Sequence, residues 1–597
     1  MYLSKIKSFD QILTFLVFIT LVTLPGIEVI SRIFNSTGIV ASSVLVQHLT
    51  LWVGFLGAVI ATRRNKLLSL TTKPLFSTTK IIEWENLVAK ITSIFIVLLL
   101  AYGSWELVQV EMDFPVKIAP FISRWFAQLI MPVGFLFIAF FMIVNSFSKW
   151  KEKLVILIII TLLFLLFISA EPIQESILFM WIAILILTLS LYAGAPIFIG
   201  LGGLAILFFW RDFTPISAIP AETYRIVVSP TLPTIPLFTF AGYLLAESNA
   251  SIRLVNLFRS AFGWIPGGTP IVLVLLCGFF TALTGGSGVT ILALGGLFMP
   301  ILIKEGYSKL FSLGLITVAG SLGLLFPPSL PLIIYGVTAG VSIKAVFLAG
   351  IVPGLVRLSM IGGWAIWQGK IQSVKKYPLS FKELKTTLWN AKWEAAIPLF
   401  IFFGIFGGYA TLVETAAMTA IYIFIVEVLI HKDIKWSNLY KITLDCASLI
   451  GGVLIILGVA MGLTSYLVDA HIPMHLLEWV KSTISSKLVF LLILNIFLLA
   501  VGCMMDIFSA IIIVVPLITP LGVYFGIDPV HLAIIFIANL ELGFLTPPVG
   551  MNLFLSAYRF EEDMPTIYKS TLPFFIVMLI SVLVITYLPF LSTWSLN

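Results

Sequence analysis

The chain has 597 residues, 60% of them hydrophobic and only 11% charged, against about 25% charged in an average soluble domain. That balance excludes a soluble globular enzyme and a disordered chain, and leaves a polytopic membrane protein. The 35 Lys and Arg outnumber the 28 Asp and Glu, but they sit in short loops, so the excess marks topology and not a nucleic acid as partner.

Apolar windows recur from 12–30 and 39–62 onward and predict about 15 to 17 crossings in an all-α fold. The first follows Lys5 and Lys7 and has no small-x-small cleavage site, so it reads as an uncleaved helix with a cytoplasmic N-terminus. Residues 1–150 read as a four-crossing domain: in at Lys5, out near Asn35, in at Arg63, out near Asp113 and in at Lys149. Within it, 72–84 reads as an amphipathic helix along the interface. Residues 151–171 are a fifth crossing, the odd helix needed to join two domains of fixed orientation.

The remainder, 172–597, places Gly and Pro inside its apolar runs, which membrane helices tolerate when neighbours satisfy the freed backbone groups. Sliding the chain by 220 residues brings Pro300 onto Pro520, Gly306 onto Gly526, Gly323 onto Gly543 and Pro327-Pro328 onto Pro547-Pro548. About 40 residues before each double proline lies a second irregular element: Thr284-Gly285-Gly286-Ser287 in one copy, Gly502 to Asp506 in the other. Their flanking arms, read as about ten residues each, are too short to span. Both therefore read as re-entrant hairpins, at about 271–300 and 491–520. Lys304 and Lys309 follow the first and no lysine follows the second, so they are expected to open to opposite sides as an inverted repeat.

Broken helices offer bare carbonyls to a cation and helix N-termini to a carboxylate. Thr284, Ser287, Thr290 and Ser329 bring hydroxyls to the first break; Asp506, Thr546 and Asn552 bring a carboxylate, a hydroxyl and an amide to the second. Asp506 is read either as a cation ligand or as the cap of the half-helix that follows. Glu414 is read first as a structural hydrogen-bonding residue, and Asp445, Asp469 and Glu541 are further acids near apolar runs. Cys277, Cys446 and Cys503 have no disulfide or metal spacing, His471 and His475 are separated by a proline, and no phosphate-binding loop or hydrolase triad occurs. An enzyme, a redox subunit and an ATP-driven pump are all disfavoured.

The large domain resembles the M subunit of tripartite ATP-independent periplasmic (TRAP) transporters, and residues 1–150 resemble the small Q subunit, fused in one chain. The resemblance rests on Phe262-Gly-Trp-Ile-Pro-Gly-Gly268, on 323–336 with its Pro-Pro-Ser, on Ala349-Gly-Ile-Val-Pro-Gly354, on Gly526-Ile-Asp-Pro-Val-His531 and on Trp52-Val-Gly-Phe-Leu-Gly-Ala58. It implies an elevator-type, sodium-coupled symporter of the bacterial inner membrane that imports an organic acid delivered by a periplasmic binding protein. It needs no cofactor beyond Na+, and its other surroundings are membrane lipid.

By the same resemblance, one sodium site falls on Thr284, Gly285, Ser287, Gly323, Pro327 and Ser329, and the other on Met505, Asp506, Gly543 and Thr546. Substrate falls on Ser287, Thr290, Ser329 and Asn552. Two positions depart from the family pattern. The first tip is Thr-Gly-Gly-Ser where a serine-rich tip is usual, and Val46-Gln47-His48 stands where paired glutamates are common. A stand-alone carboxylate or ion carrier of similar repeat architecture is the alternative, separable by whether uptake needs a soluble partner.

Overall fold

The computed structural model describes residues 2–34, 38–39, 41–69, 79–120, 122–146, 150–169, 174, 176–372, 374, 379–547 and 550–594. Pro548, Lys149, Glu171, Glu175 and residues 72–78 of the expected interfacial helix lie outside them. Among the described residues, ten helices are long and apolar enough to cross a membrane, and seven further apolar helices have 10–17 residues. The protein is an all-α polytopic membrane protein, and the one small sheet among the described residues is the hairpin of β1 (Lys117–Ala119) and β2 (Ile122–Ser123).

The chain divides into two compact units, one of residues 1–236 with 443–473, the other of 237–442 with 474–597. The first unit begins with α1 (Tyr2–Ile33), α2 (Ser42–Arg63), α3 (Thr79–Asp113), α4 (Arg124–Gln128) and α5 (Ile130–Ser146). It continues through α6 (Trp150–Ser169), α7 (Ile177–Tyr192), α8 (Ile197–Arg211) and α9 (Ala218–Val227), and is completed by most of α20 (Trp436–Asp469). Small residues let α2 approach α20 backbone to backbone: a Cβ on Gly57 would run into the Ala447 carbonyl, and one on Gly451 into the backbone of Gly54 and Ala58. Close packing of this kind holds helices together where lipid removes the hydrophobic driving force.

Polar contacts secure the same unit. Arg64 pairs with Asp445, and the Tyr466 hydroxyl donates to Asp212 at 2.7 Å. His48, in place of the paired glutamates, donates from Nδ1 to the Val44 carbonyl at 2.7 Å and meets the Tyr224 hydroxyl through Nε2 at 2.8 Å. α6 differs: Leu154, Val155, Leu157, Ile158 and Leu162 are all exposed, the face a membrane helix turns to lipid.

The second unit runs from α10 (Thr234–Ala246, whose first three residues belong to the first unit) through α11 (Ala250–Phe262), α12 (Gly268–Thr284), α13 (Ser287–Glu305), α14 (Lys309–Ala319), α15 (Leu330–Ala339) and α16 (Ile343–Ile371). Next come α17 (Phe381–Asn390), α18 (Lys392–Phe406) and α19 (Leu412–Phe424), which passes into a π-turn at Ile425–Ile430. After α20 follow α21 (Ile472–Thr483), α22 (Lys487–Met504), α23 (Ile507–Tyr524), α24 (Pro529–Gly543), α25 (Met551–Phe560), α26 (Met564–Tyr587) and α27 (Phe590–Thr593).

Two ion-pair clusters lock this unit. Arg253 of α11 holds Glu394 of α18, Glu427 of the π-turn at 2.7 Å and Asp433 at 2.7 Å. Arg357 of α16 is 1% exposed; it pairs with the fully buried Glu541 of α24 and donates to the Ala538 carbonyl at 3.0 Å and the Ser581 hydroxyl at 3.2 Å. Membrane-embedded charges such as those of Arg357 and Glu541 stay only where they are paired.

Candidate functional site

The two irregular elements are helical hairpins. α12 ends at Thr284, Gly285 turns at φ +68°, and Ser287 opens α13. α22 ends at Met504, Met505 is extended, and Asp506 caps α23. The arms are longer than the ten residues expected, at 17 and 19 residues in the first hairpin and 18 and 18 in the second. In the returning arms the prolines did not end the helix: Pro300 sits inside α13, and Pro516 and Pro520 inside α23. A proline removes one backbone hydrogen bond and kinks a helix without having to end it where neighbours support the turn.

Each break lies against the outgoing arm of its own hairpin. A Cβ on Gly323 would meet the Gly278 carbonyl of α12, and a Cβ on Gly543 would meet the backbone of Gly502 in α22. The chain after the second break is also fastened to the tip, since the Gly550 N–H donates to the Cys503 carbonyl at 3.0 Å. At the first break Gly285 abuts Leu330, so the Thr284–Ser287 tip lies beside Ser329, the residue that precedes α15. The returning arms cross over between repeats: α13 packs with α25 and α23 packs with α15.

The first tip is rich in unsatisfied oxygen. Thr284, Ser287 and Ser329 are each at most 1% exposed, and their hydroxyls have no hydrogen-bond partner among the described residues. A buried hydroxyl without a partner is costly, so three around one tip make it a candidate place for a ligand. Thr290 is already engaged: Thr281 donates to the Gly320 carbonyl at 2.8 Å, which leaves Thr290 as donor to Thr281 at 2.7 Å. Thr284 and Thr290 also line a cavity of about 200 Å³ with Ser251, Phe280 and Leu294.

The second tip is built around Asp506. Its carboxylate accepts N–H bonds from Phe508 at 3.0 Å and Ser509 at 3.1 Å, and the Ser509 hydroxyl at 2.5 Å. The capping reading is therefore correct; lone pairs remain for a cation, which leaves the ligand reading open. Thr546 donates back to the Leu542 carbonyl at 3.0 Å. The carbonyls of Gly323 and Gly543 each accept one N–H, from Phe326 at 3.0 Å and Thr546 at 2.9 Å, and keep a second lone pair. Asn552 is wholly buried, donates to the Thr317 carbonyl at 3.2 Å, and has an unpartnered Oδ1 among the described residues.

Other candidates fall elsewhere. Pro327 lines an apolar cavity of about 210 Å³ with Phe279, Phe326 and Phe402, so only its backbone can serve a cation. Glu414 forms a reciprocal capping box with Thr411 at the start of α19. Asp445 is the partner of Arg64, and Glu541 that of Arg357. Sequence reasoning missed Ser509 and Thr281, although each stands three residues from a residue it singled out, the spacing of one helical face.

Residues 179–591 match the family model of the tripartite ATP-independent periplasmic transporter, DctM component. The chain belongs to that family. Residues 21–152 match the DctQ component of the same transporters, so both membrane parts of a TRAP transporter occur in this chain, which is a transporter permease and not an enzyme. The isethionate TRAP transporter permease protein DctMQ of Oleidesulfovibrio alaskensis is 32% identical over 405 residues, 67% of this chain and 64% of that one. The C4-dicarboxylate TRAP transporter large permease protein DctM of Vibrio cholerae is 32% identical over 429 residues, covering 67% and 94%. The ectoine/5-hydroxyectoine large permease protein UehC of Ruegeria pomeroyi is 29% identical over 351 residues, covering 58% and 82%.

Proposed function

We propose that this TRAP permease is a sodium-coupled importer of an organic acid across the bacterial inner membrane, with its N-terminus in the cytoplasm, and that it receives the acid from a periplasmic binding protein. The observation that supports it best is the first tip, where three buried, unpartnered hydroxyls stand beside a helix break that keeps carbonyl lone pairs free. Oxygen ligands of this kind suit a hard, weakly charged cation, and broken helices at a repeat interface are where secondary carriers bind their ions. Asp506 at the second tip adds a carboxylate for a second ion. The relatives named for isethionate, C4-dicarboxylates and ectoine carry substrates with an acidic group, which supports an organic anion as cargo.

The elevator mode of action belongs to the same proposal. Both hairpins and both breaks fall in the second compact unit, while residues 1–150, the Q-like part, fall in the first, a division suited to one body that carries the site and another that anchors. Reconstitution into liposomes, with the binding protein from the same source and the organic acid it binds, tests the coupling. Uptake is expected only under an inward Na+ gradient, and equal rates with and without the gradient would refute it.

A further inference from the structure

α13 and α25 run in the same direction, because Gly288 lies against Leu555, Gly295 against Phe560 and Gly296 against Arg559. Both start at a break and lead away from it. α13 leads towards Lys304 and Lys309, the lysines that mark the cytoplasmic side in the proposed orientation. Arg559, in the last turn of α25, is exposed at that end. Among the described residues it is the one arginine without a hydrogen bond or an ion pair. The charges around it are taken: Lys309 holds Glu562, and Arg259 holds Glu305 at 3.5 Å.

The fold makes a seat for this side chain. Asn552 donates to the Thr317 carbonyl at 3.2 Å and the Ser556 hydroxyl meets that of Thr317 at 2.8 Å, which fixes α25 on α14. Phe560 packs on the cluster of Leu313, Leu553 and Ile567. Arg559 is thereby laid on α13, where a Cβ on Gly296 would run into its guanidinium. The guanidinium fills the space that a side chain on α13 would take. Gly296 stands nine residues beyond Ser287, about 13 Å along the helix. A guanidinium that no carboxylate of the chain occupies keeps its fork of N–H donors for a carboxylate or a sulfonate.

We propose that Arg559 is a second anion station, on the cytoplasmic side of the first tip, which takes the acidic group of the substrate as it leaves. The ligand class is an organic carboxylate or sulfonate. The direction of transfer rests on the importer reading; the binding of an anion at Arg559 does not.

Binding is tested on the full chain in detergent with the arginine reagent phenylglyoxal, the modified positions being read by peptide mass spectrometry. Succinate and isethionate, at saturating concentration, should each slow modification of Arg559 by about tenfold relative to NaCl of equal ionic strength. Arg225, exposed but paired with Glu222 at 2.6 Å, is the control and should be unaffected. Modification of Arg559 that neither acid slows, or that slows equally at Arg225, would overturn the proposal.

Direction is tested in liposomes with the binding protein outside only, which selects chains with the periplasmic face outward, and with the acid on both sides. In Arg559→Gln the internal concentration for half-maximal exchange should rise by about tenfold, the low end of what a steering charge contributes, and the external one should not change. Arg559→Lys should keep most of the wild-type behaviour, and the effect should fade at high salt, which screens an exposed charge. An unchanged internal value, or internal and external values that rise together, is what an arginine serving only the helix end gives, and would overturn the exit role. A wild type without uptake would refute the importer reading, while the labelling result would stand.

Discussion

The backbone N–H of Gly550 donates to the carbonyl oxygen of Cys503 at 3.0 Å, which joins the chain after the second break to the tip of the second hairpin. Gly543 supports the same joint by letting the break lie on Gly502. Gly543→Ala would put a Cβ 2.6 Å from the Gly502 backbone, where nothing flexible can yield. A loss of about 1–3 kcal/mol is expected from such overpacking, read as a lower unfolding midpoint with uptake impaired. Gly452→Ala, on α20 with nothing within 4 Å of the new methyl, should be neutral or stabilising by up to about 1 kcal/mol.

Asp506 has two roles that one variant can separate. Asp506→Ala removes the cap of α23 and the carboxylate together. The unfolding midpoint should fall by the worth of a cap, about 1 kcal/mol. If the carboxylate also binds the ion, the Na+ concentration for half-maximal uptake rises by about tenfold, or about 1.4 kcal/mol. Lower stability with unchanged Na+ dependence would leave capping as its whole role.

Arg357 and Glu541 should be strongly coupled. Removing either partner strands a buried charge, at a cost of about 3–5 kcal/mol, whereas replacing both by apolar residues is often neutral. Arg357→Met and Glu541→Leu are each expected to lower the unfolding midpoint sharply, and the double variant to recover most of the loss. Additive losses in that double-mutant cycle would show that the pair contributes little.

The Arg253 cluster supplies a pH dependence. Burial works against the Asp433 charge, but hydrogen bonds from Arg253 and Asn249 outweigh it and hold the carboxyl below its ordinary value. A depressed carboxylate adds stability that is present above its unfolded pKa, about 3.9, and is lost as pH falls through the lower folded value. The difference in unfolding midpoint between wild type and Asp433→Asn should therefore shrink as pH falls below about pH 4. A difference that persists unchanged at pH 3 would contradict the assignment.

The repeat was legible because glycine and proline do in a membrane what no other residue does, and Gly323 and Gly543 stand at equivalent points of the two copies. Arm length was not, because a proline inside a helix and a proline at its end look alike in sequence: Pro300 and Pro520 read as stops and are interior residues. The oxygens of the site were visible as residue types, but which of them lack partners depends on packing. Thr290 and Ser287 read alike, yet only Thr290 is bonded, through Thr281. The Arg253 cluster left no signal, since its three acids lie 141, 174 and 180 residues further along the chain.

The lipid-facing character of α6 bears on what the covalent connection contributes. The fit of α2 on α20 through Gly57 and Gly451 is made by backbone and needs no link between the two parts, while α6 exposes most of its apolar side chains. The connecting helix then acts as a tether, fixing a one-to-one ratio and raising the effective concentration of one part near the other. A chain cut within 170–175 and coexpressed as two pieces should still assemble and transport, provided each piece inserts with its own topology.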